Sequence, residues 1–263
     1  MKSQFIAKIF LVFFLFFSFG AQAKNAKETD LAQLRYYDEE EEFAEFASEN
    51  SIEIYDPLEK YNRKIYAFND AFDRYFFEHI AKGYHAALHY KIRASIRNFL
   101  TNLTLPLSAT NSLLQGKLDN SLATISNFLI NSTIGVAGLF DVASAKGIKY
   151  NSEDFGQTLA QYGSDSGPYL VVPFLGPSSA RDFSGFVIDR SADPFGFNLL
   201  DIGDHHHSRI FTSDYRFALG SATAIDTRDR LLDTIDSIRK DSFDPYATIR
   251  SAYLQRRNAA IKN

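Results

Sequence analysis

Apolar side chains recur every three or four residues along most of this chain, which is the spacing of one face of an α-helix. The first pattern opens at Asp56-Pro57, because Asp can cap a helix N-terminus and Pro is tolerated in the first turn. Its apolar positions are Leu58, Tyr61, Ile65, Phe68, Phe72 and Tyr75. Such a repeat requires each helix to bury one face against another helix or another apolar phase.

A second pattern begins at Leu88 and is predicted to stop before Pro106, with a short helix over 107–115 that ends at Gly116. The next pattern covers 118–129. No charged residue lies between Asp119 and Asp141, which is unusual for a helix with one side in water. Further helices are predicted over 155–162, over about a dozen residues from an N-cap at Ser178, over 214–239, and from Asp244-Pro245 onward.

Glycine and proline interrupt the helical pattern between Gly163 and Pro177. Tyr169 to Val172 has the composition of a short strand, but no partner strand is evident, so an ordered loop is predicted there. The fold class is therefore all-α: one multi-helix domain over 56–257 with amphipathic helices and an irregular insert rich in Pro and Gly. Residues 258–263 are predicted to form a C-terminal tail.

The charges of the chain are segregated. The formal net charge is -4, yet residues 24–55 alone hold ten acids and three bases. This composition is typical of a solvated, disordered tether. The remaining body is nearly neutral and lacks the basic surface that a nucleic-acid-binding protein needs. Its 25 Phe and 14 Tyr residues fit either an ordinary large core or helices that embed in a membrane interface.

Residues 1–23 have the three-part layout of a secretory signal. Lys2 and Lys8 supply positive charge, the run from Ile9 to Phe19 is largely apolar, and Ala21-Gln22-Ala23 provides the small residues of a cleavage site. We expect cleavage after Ala23 and export from the cytoplasm. The alternative is an uncleaved, tilted anchor that begins nearer Phe5.

Residue patterns for catalysis or cofactor binding are weak or absent from the sequence. It contains neither a phosphate-binding loop, nor a dinucleotide fingerprint, nor a serine nucleophile elbow. His85 and His89 could share a helix face as metal ligands do, but an interfacial or surface pair is the favoured interpretation. Three adjacent side chains do not converge naturally on one ion, so the run His205-His206-His207 is not expected to bind a metal. The prediction is a protein that is not an enzyme, with no cofactor and no metal.

Four ordered motifs resemble the MlaA/VacJ family of outer-membrane lipoproteins, and together they span about 56 to 257. The first runs from Asp56 to Arg63 and continues to Phe68-Asn69. The second runs from Asn127 to Gly135 and continues over Gly138–Ala143. The others are the segment from Asp154 to Asp182, which includes Tyr162-Gly163 and Gly176-Pro177, and Asp244-Pro245-Tyr246 with Tyr253.

The resemblance implies a ring-like helical domain in the inner leaflet of the outer membrane, on its periplasmic side. Mislocalised phospholipids of the outer leaflet would pass through an amphipathic channel to a soluble periplasmic carrier, MlaC. A porin trimer would hold the ring. Lipoproteins of this family carry an acylated cysteine after the signal, whereas this sequence has no cysteine, so another mode of membrane attachment is expected.

The resemblance also assigns candidate site residues. Asn131, Gly135, Gly138 and Asp141 are placed at the channel mouth, where the glycines would permit gating. Arg181 and Asp182 are candidates for headgroup contact or, in the favoured interpretation, for a structural ion pair. The membrane-embedded face is assigned to Tyr61, Ile65, Phe68, Asn69 and Phe72.

Two other function classes stay open. The first is a periplasmic or surface interaction or scaffold protein that has no lipid path. The second is a lipid-cleaving enzyme, which would need His85 or His89 to meet a serine and an acid in space.

Overall fold

The computed structural model describes residues 56–193, 195 and 213–262, all within one compact unit, Glu42–Asn263. The predicted signal, the acidic tether and the His205–His207 run lie outside the described residues. Helices dominate the described part, so the all-α prediction is confirmed.

The elements follow one another along the chain. They are α1 (Glu59–Phe72), a π-helical segment (Asp73–Phe77), α2 (Glu78–Ala87), α3 (Tyr90–Leu114), α4 (Leu118–Thr133), α5 (Val142–Ala145), α6 (Phe155–Gln161), β1 (Tyr169–Val172), β2 (Gly176–Ser179), α7 (Ala180–Ala192), α8 (Ser213–Arg230), α9 (Leu232–Asp241) and α10 (Pro245–Lys262). The last helix continues through residues 258–262, which were predicted as a tail. The helix predicted over 214–239 is two helices that break at Leu231.

Helix α3 runs through Pro106, so the predicted stop before this proline was wrong. A proline inside a helix removes a backbone hydrogen bond, but contacts with α4 hold α3 on both sides of it. Before the proline, Asn102 Nδ2 donates to Ser132 Oγ at 2.8 Å. After it, Ser121 Oγ donates to the Ala109 carbonyl at 2.9 Å. Tertiary contacts therefore override the local signal.

The prediction of an ordered loop at 169–172 was also wrong. Residues Tyr169–Val172 pair antiparallel with Gly176–Ser179 to form a two-stranded hairpin. The partner strand, Gly-Pro-Ser-Ser, has none of the β-branched or aromatic residues that signal a strand. Ser179, rather than the predicted Ser178, caps α7 by accepting a hydrogen bond from the Asp182 N–H at 3.1 Å.

The apolar core is small. Tyr169, Val171 and Tyr246 form its buried centre, with Ile65 and Tyr66 among the partly buried side chains packed against it. Many of the buried side chains elsewhere are polar. The largest that are fully buried are Asn62, Asn111, Asn127, Thr124, Asp229, Ser112 and Ser179.

Helices α6 and α7 cross at a pair of glycines. A Cβ placed on Gly185 would lie 2.3 Å from the Gly156 nitrogen and 2.6 Å from its Cα. The obstructing atoms belong to the backbone, so no side-chain rotation relieves the overlap.

We expect Gly185→Ala to lower the free energy of unfolding by about 1–3 kcal/mol, because the two helices must separate. The matched control is Gly83→Ala in α2, where an added Cβ meets no atom within 4 Å. This control should raise stability by roughly 0.5–1 kcal/mol. Denaturant unfolding measures both changes, and equal stability of the two variants would contradict the tight crossing.

Candidate membrane-facing surface and polar interior

Helix α4 is inverted relative to a helix of a water-soluble protein. Its buried side chains are polar: Ser121, Thr124, Asn127 and Asn131. The exposed side chains on its other face are aliphatic, with exposed fractions of 43–64%: Leu118, Leu122, Ile125 and Leu129. The helix therefore presents an apolar stripe outward and packs against the protein through hydroxyl and amide groups.

The buried amides of α4 tie the chain to itself. Asn127 Nδ2 donates to the Ile148 carbonyl at 3.1 Å. Asn131 Oδ1 accepts from the Ala143 N–H at 2.9 Å, while its Nδ2 donates to Asp141 Oδ1 at 3.0 Å. Asp141 also caps α5 by accepting from the Ser144 N–H at 3.1 Å.

The turn after α4 brings together the four residues assigned to the channel mouth. Asn131, Gly135 and Gly138 are buried there, and Asp141 is partly buried. Gly135 and Gly138 leave no space for a side chain: a Cβ would lie 2.2 Å from the Phe140 carbonyl oxygen and 2.6 Å from Asn102 Cβ, respectively. The structure thus gives these glycines a role in close packing.

The same turn is strained. Val136, Ala137 and Gly138 have positive φ angles of 53°, 58° and 90°, a region that a β-branched residue such as Val136 rarely adopts. This backbone leaves the side chains of Ile134, Val136 and Phe140 exposed. They extend the apolar surface of α4 beyond the end of the helix.

Helix α1 carries a second exposed apolar surface. Of the face predicted to embed in a membrane, Tyr61, Phe68 and Phe72 are exposed. Ile65 instead packs against the apolar core. Asn69 turns its side chain to the hairpin, where Nδ2 donates to the Val172 carbonyl at 3.0 Å.

Four further exposed apolar residues near this face were not among those predicted to embed in the membrane, namely Tyr75, Phe76, Phe174 and Leu175. Phe76 packs on Phe72 with ring centroids 5.4 Å apart, and Phe174 packs on Phe68 at 5.3 Å. The helical spacing continued over Tyr75 and Phe76. By contrast, Phe174 lies in the segment that was read as irregular.

Two arginines bind the opposite side of the α1–α2 unit. Arg239 of α9 contacts three carboxylates, those of Asp70, Asp73 and Glu78, at 2.8, 2.7 and 2.8 Å. Arg228 of α8 donates two hydrogen bonds to Asp73, at 2.6 and 2.8 Å. All five side chains are largely buried.

The π-helical segment explains how three carboxylates reach one guanidinium. Asp70 and Asp73 are three residues apart and share a helix face. In an α-helix, the step of five positions from Asp73 to Glu78 would overshoot one turn by about 140°. The wider π turn, whose hydrogen bonds join residues five apart, brings Glu78 back towards the same side.

Arg181 and Asp182 form an ion pair at 3.0 Å, and both side chains are mostly buried. Asp182 also accepts from Tyr253 at 2.5 Å and from Arg257 Nη2 at 3.1 Å. Burial opposes the charge of this carboxylate, yet the hydrogen bonds from Tyr253 and Arg181 hold its pKa below the usual range. The pair therefore joins α7 to α10.

His85 lies 2.8 Å from Asp229 and 2.9 Å from Arg93, which links α2 to α8 and α3. In the ranges that the structure describes, no group of three or more His, Cys, Asp or Glu side chains is placed to hold a metal ion. Among the same described residues, no helix combines the length and the apolar character needed to cross a membrane.

The chain is similar to known proteins over most of its length. A family model described as MlaA lipoprotein matches residues 54–260. Over 207 residues, 76% of each chain, this chain is 31% identical to the intermembrane phospholipid transport system lipoprotein MlaA of Escherichia coli strain K12. It is 38% identical over 210 residues to an uncharacterized protein of Rickettsia bellii, covering 80% of this chain and 78% of that relative.

A solved structure, described as the structural basis for maintenance of bacterial outer membrane lipid asymmetry, matches with a TM-score of 0.63 and 29% identity. The match covers 79% of this chain and 100% of the other. This chain belongs to the MlaA lipoprotein family, which confirms the family predicted from its motifs.

The packing around Gly138 predicts that Gly138→Ala costs more stability than Gly147→Ala. Both glycines have positive φ angles, but a Cβ at Gly147 meets no atom within 4 Å. Gly147→Ala should therefore cost only the backbone strain of about 1–2 kcal/mol, whereas Gly138→Ala must also displace Asn102. Denaturant unfolding compares the two, and an equal loss would show that the turn is loosely packed.

Stability should fall in acid through Asp244 and Glu78. A hydrogen bond from Arg63 lowers the pKa of Asp244, and one from Lys82 lowers that of Glu78. Because the folded pKa lies below the unfolded value of about 4, the stabilisation is complete above that value and is lost as the pH falls through the folded pKa.

Unfolding titrations from neutral pH to about pH 3 measure this dependence, which should be shallower in Asp244→Asn than in the parent. Asp165→Asn, in an exposed loop, is the control and should retain the parent slope. A parent slope in Asp244→Asn would contradict the assignment.

Proposed function

We propose that this protein helps to maintain outer-membrane lipid asymmetry by transporting phospholipid, without a chemical step. Its helical body is embedded in the inner leaflet of the outer membrane, on the periplasmic side. Phospholipids from the outer leaflet pass along a polar path through this body to a soluble, MlaC-like periplasmic carrier, and a porin trimer holds the body in place.

The main support for the proposal is helix α4, whose polar side chains are buried and whose aliphatic side chains are exposed. Four aliphatic side chains on one face are exposed while the polar residues of the opposite face are buried. Exposing such a stripe to water is unfavourable by about 25 cal/mol for each Å². An acyl-chain environment removes that cost, so the helix is built to lie against lipid.

The exposed surfaces of α1 and of the turn after α4 support the same environment. Aromatic side chains on helices and loops are typical of proteins that lie in a membrane interface. Helices such as α1 and α4 can embed in one leaflet through their apolar faces without crossing the bilayer.

The polar interior fits the cargo. A phospholipid needs polar groups along the route of its headgroup and apolar surface along the route of its tails. We assign Asn131, Gly135, Gly138 and Asp141 to the mouth of this route, because the strained turn that joins them is the place where polar interior and apolar exterior meet. Arg181 and Asp182 are assigned a structural role, since each already engages a protein partner.

The relatives of this chain support the same function. The Escherichia coli relative is named as a lipoprotein of an intermembrane phospholipid transport system. The matching solved structure concerns outer-membrane lipid asymmetry. Shared fold over most of the chain, together with an outward apolar surface, favours the same task here.

The test is Leu129→Asp on the exposed face of α4. A buried charge in hydrocarbon costs roughly 2.5–3.5 kcal/mol, so binding to phospholipid vesicles should fall by about a hundredfold. Stability in detergent should change little because the side chain is exposed. In cells that lack the protein, this variant should fail to restore outer-leaflet lipid asymmetry. Asn258→Asp, at an exposed position of α10, is the matched control and should bind and function normally.

Two outcomes would overturn the proposal. Intact lipid asymmetry after deletion of the protein, with a purified protein that is soluble and lipid-free without detergent, would favour a scaffold. Release of fatty acid from phospholipid by the purified protein would favour a lipid-cleaving enzyme.

A further inference from the structure

The tip of the β-hairpin combines backbone strain with exposure. Phe174 has a φ of 63°, a conformation that bulky side chains rarely adopt. Its ring is nevertheless 65% exposed, and the neighbouring Leu175 is 50% exposed. Strained residues persist where the surrounding structure holds them, and they cluster at sites of function.

Asn69 of α1 holds this tip. Its side-chain Oδ1 accepts from the Phe174 N–H at 2.8 Å, and its Nδ2 donates to the Val172 carbonyl at 3.0 Å. The side-chain amide thus makes the two hydrogen bonds that a peptide group of a neighbouring strand would make, and it holds the backbone of Phe174 in place.

Asn62 makes the same pair of bonds two helical turns earlier. It accepts from the Val171 N–H at 2.9 Å and donates to the Tyr169 carbonyl at 2.9 Å. Seven helical residues rise about 10.5 Å, and three extended residues span about 10 Å. This match of lengths lets the two asparagines bind the hairpin in register along α1.

The tip is continuous with the exposed face of α1. The Phe174 ring lies 5.3 Å from that of Phe68 and 5.1 Å from that of Phe72, both edge-on. From 166 to 180 the sequence contains no charged residue. A protein interface normally has a polar rim, so the absence of charge favours the acyl chains of a lipid layer as the partner.

We propose that the hairpin tip, Pro173 to Leu175, is a further lipid-inserting element and that Asn69 is its positioning residue. The inference rests on the proposed function, because it adds a contact to the same membrane-embedded body. It also changes the role of Asn69, which contacts the hairpin backbone and acts on lipid through Phe174.

The chain contains no Trp, so a single introduced tryptophan is a specific reporter. Phe174→Trp reports on the tip, and Leu129→Trp reports on α4. Each variant is bound to vesicles of phosphatidylethanolamine and phosphatidylglycerol with brominated acyl chains, which quench only tryptophans that reach them. Quenching of both reporters is expected. In a separate vesicle-binding assay, Phe174→Ser should weaken binding about tenfold, the loss expected for one buried aromatic side chain.

A second comparison tests Asn69. Asn69→Ala is introduced separately into each reporter variant. It should reduce quenching of the tryptophan in Phe174→Trp and leave quenching of the tryptophan in Leu129→Trp unchanged. Asn69→Asp retains the acceptor for the Phe174 N–H and should give intermediate quenching. The circular dichroism spectrum of each variant confirms that the fold is retained.

Quenching at Leu129→Trp without quenching at Phe174→Trp would overturn the inference and leave the proposed function standing. Absence of quenching at both positions would overturn both. Full quenching at the tip in the Asn69→Ala variant would remove the positioning role of Asn69.

Discussion

Hydrogen bonds and ion pairs between buried polar side chains join the helices of this protein, and the rest of the structure depends on them. In a soluble domain, apolar side chains supply that contact and water favours their burial. Here α4 directs its leucines outward and buries Thr124, Asn127 and Asn131. The buried amides of Asn127 and Asn131 each donate a hydrogen bond from Nδ2, because an amide with no partner in such a place is costly.

The α1–α2 unit shows how one backbone irregularity can serve two faces. The π turn places Asp70, Asp73 and Glu78 against Arg239 on the inner side. Next to the same turn, the ring of Phe72 lies 5.4 Å from that of Phe76 and 6.4 Å from that of Phe77. Buried ion pairs stabilise weakly once desolvation is counted. We therefore infer that these ion pairs set the angle between the helices more than they add to the net stability of the fold.

Most helices could be predicted from the sequence, since the spacing of apolar residues is a local property. Whether an apolar face points inward or outward could not be predicted from that spacing, because a soluble core and a lipid-facing stripe have the same spacing. The clue was the uncharged polar face of α4: a face turned to water normally carries Lys or Glu, whereas Ser, Thr and Asn between Asp119 and Asp141 suit packing against protein. The hairpin and the continuous α3 escaped prediction because distant contacts, such as those of Asn62 and Asn102, create them.

The medium decides whether this arrangement is stable. In water, the exposed stripe of α4 and the aromatic side chains around Phe68 would favour aggregation or rearrangement. In lipid, exposing those faces no longer costs free energy, and water is kept away from the hydrogen bonds beside them. Electrostatic contacts such as Arg93–Asp229, at 2.5 Å, gain strength where the local dielectric constant is low. An interior that is polar and an exterior that is apolar thus support each other only when the outer phase is hydrocarbon.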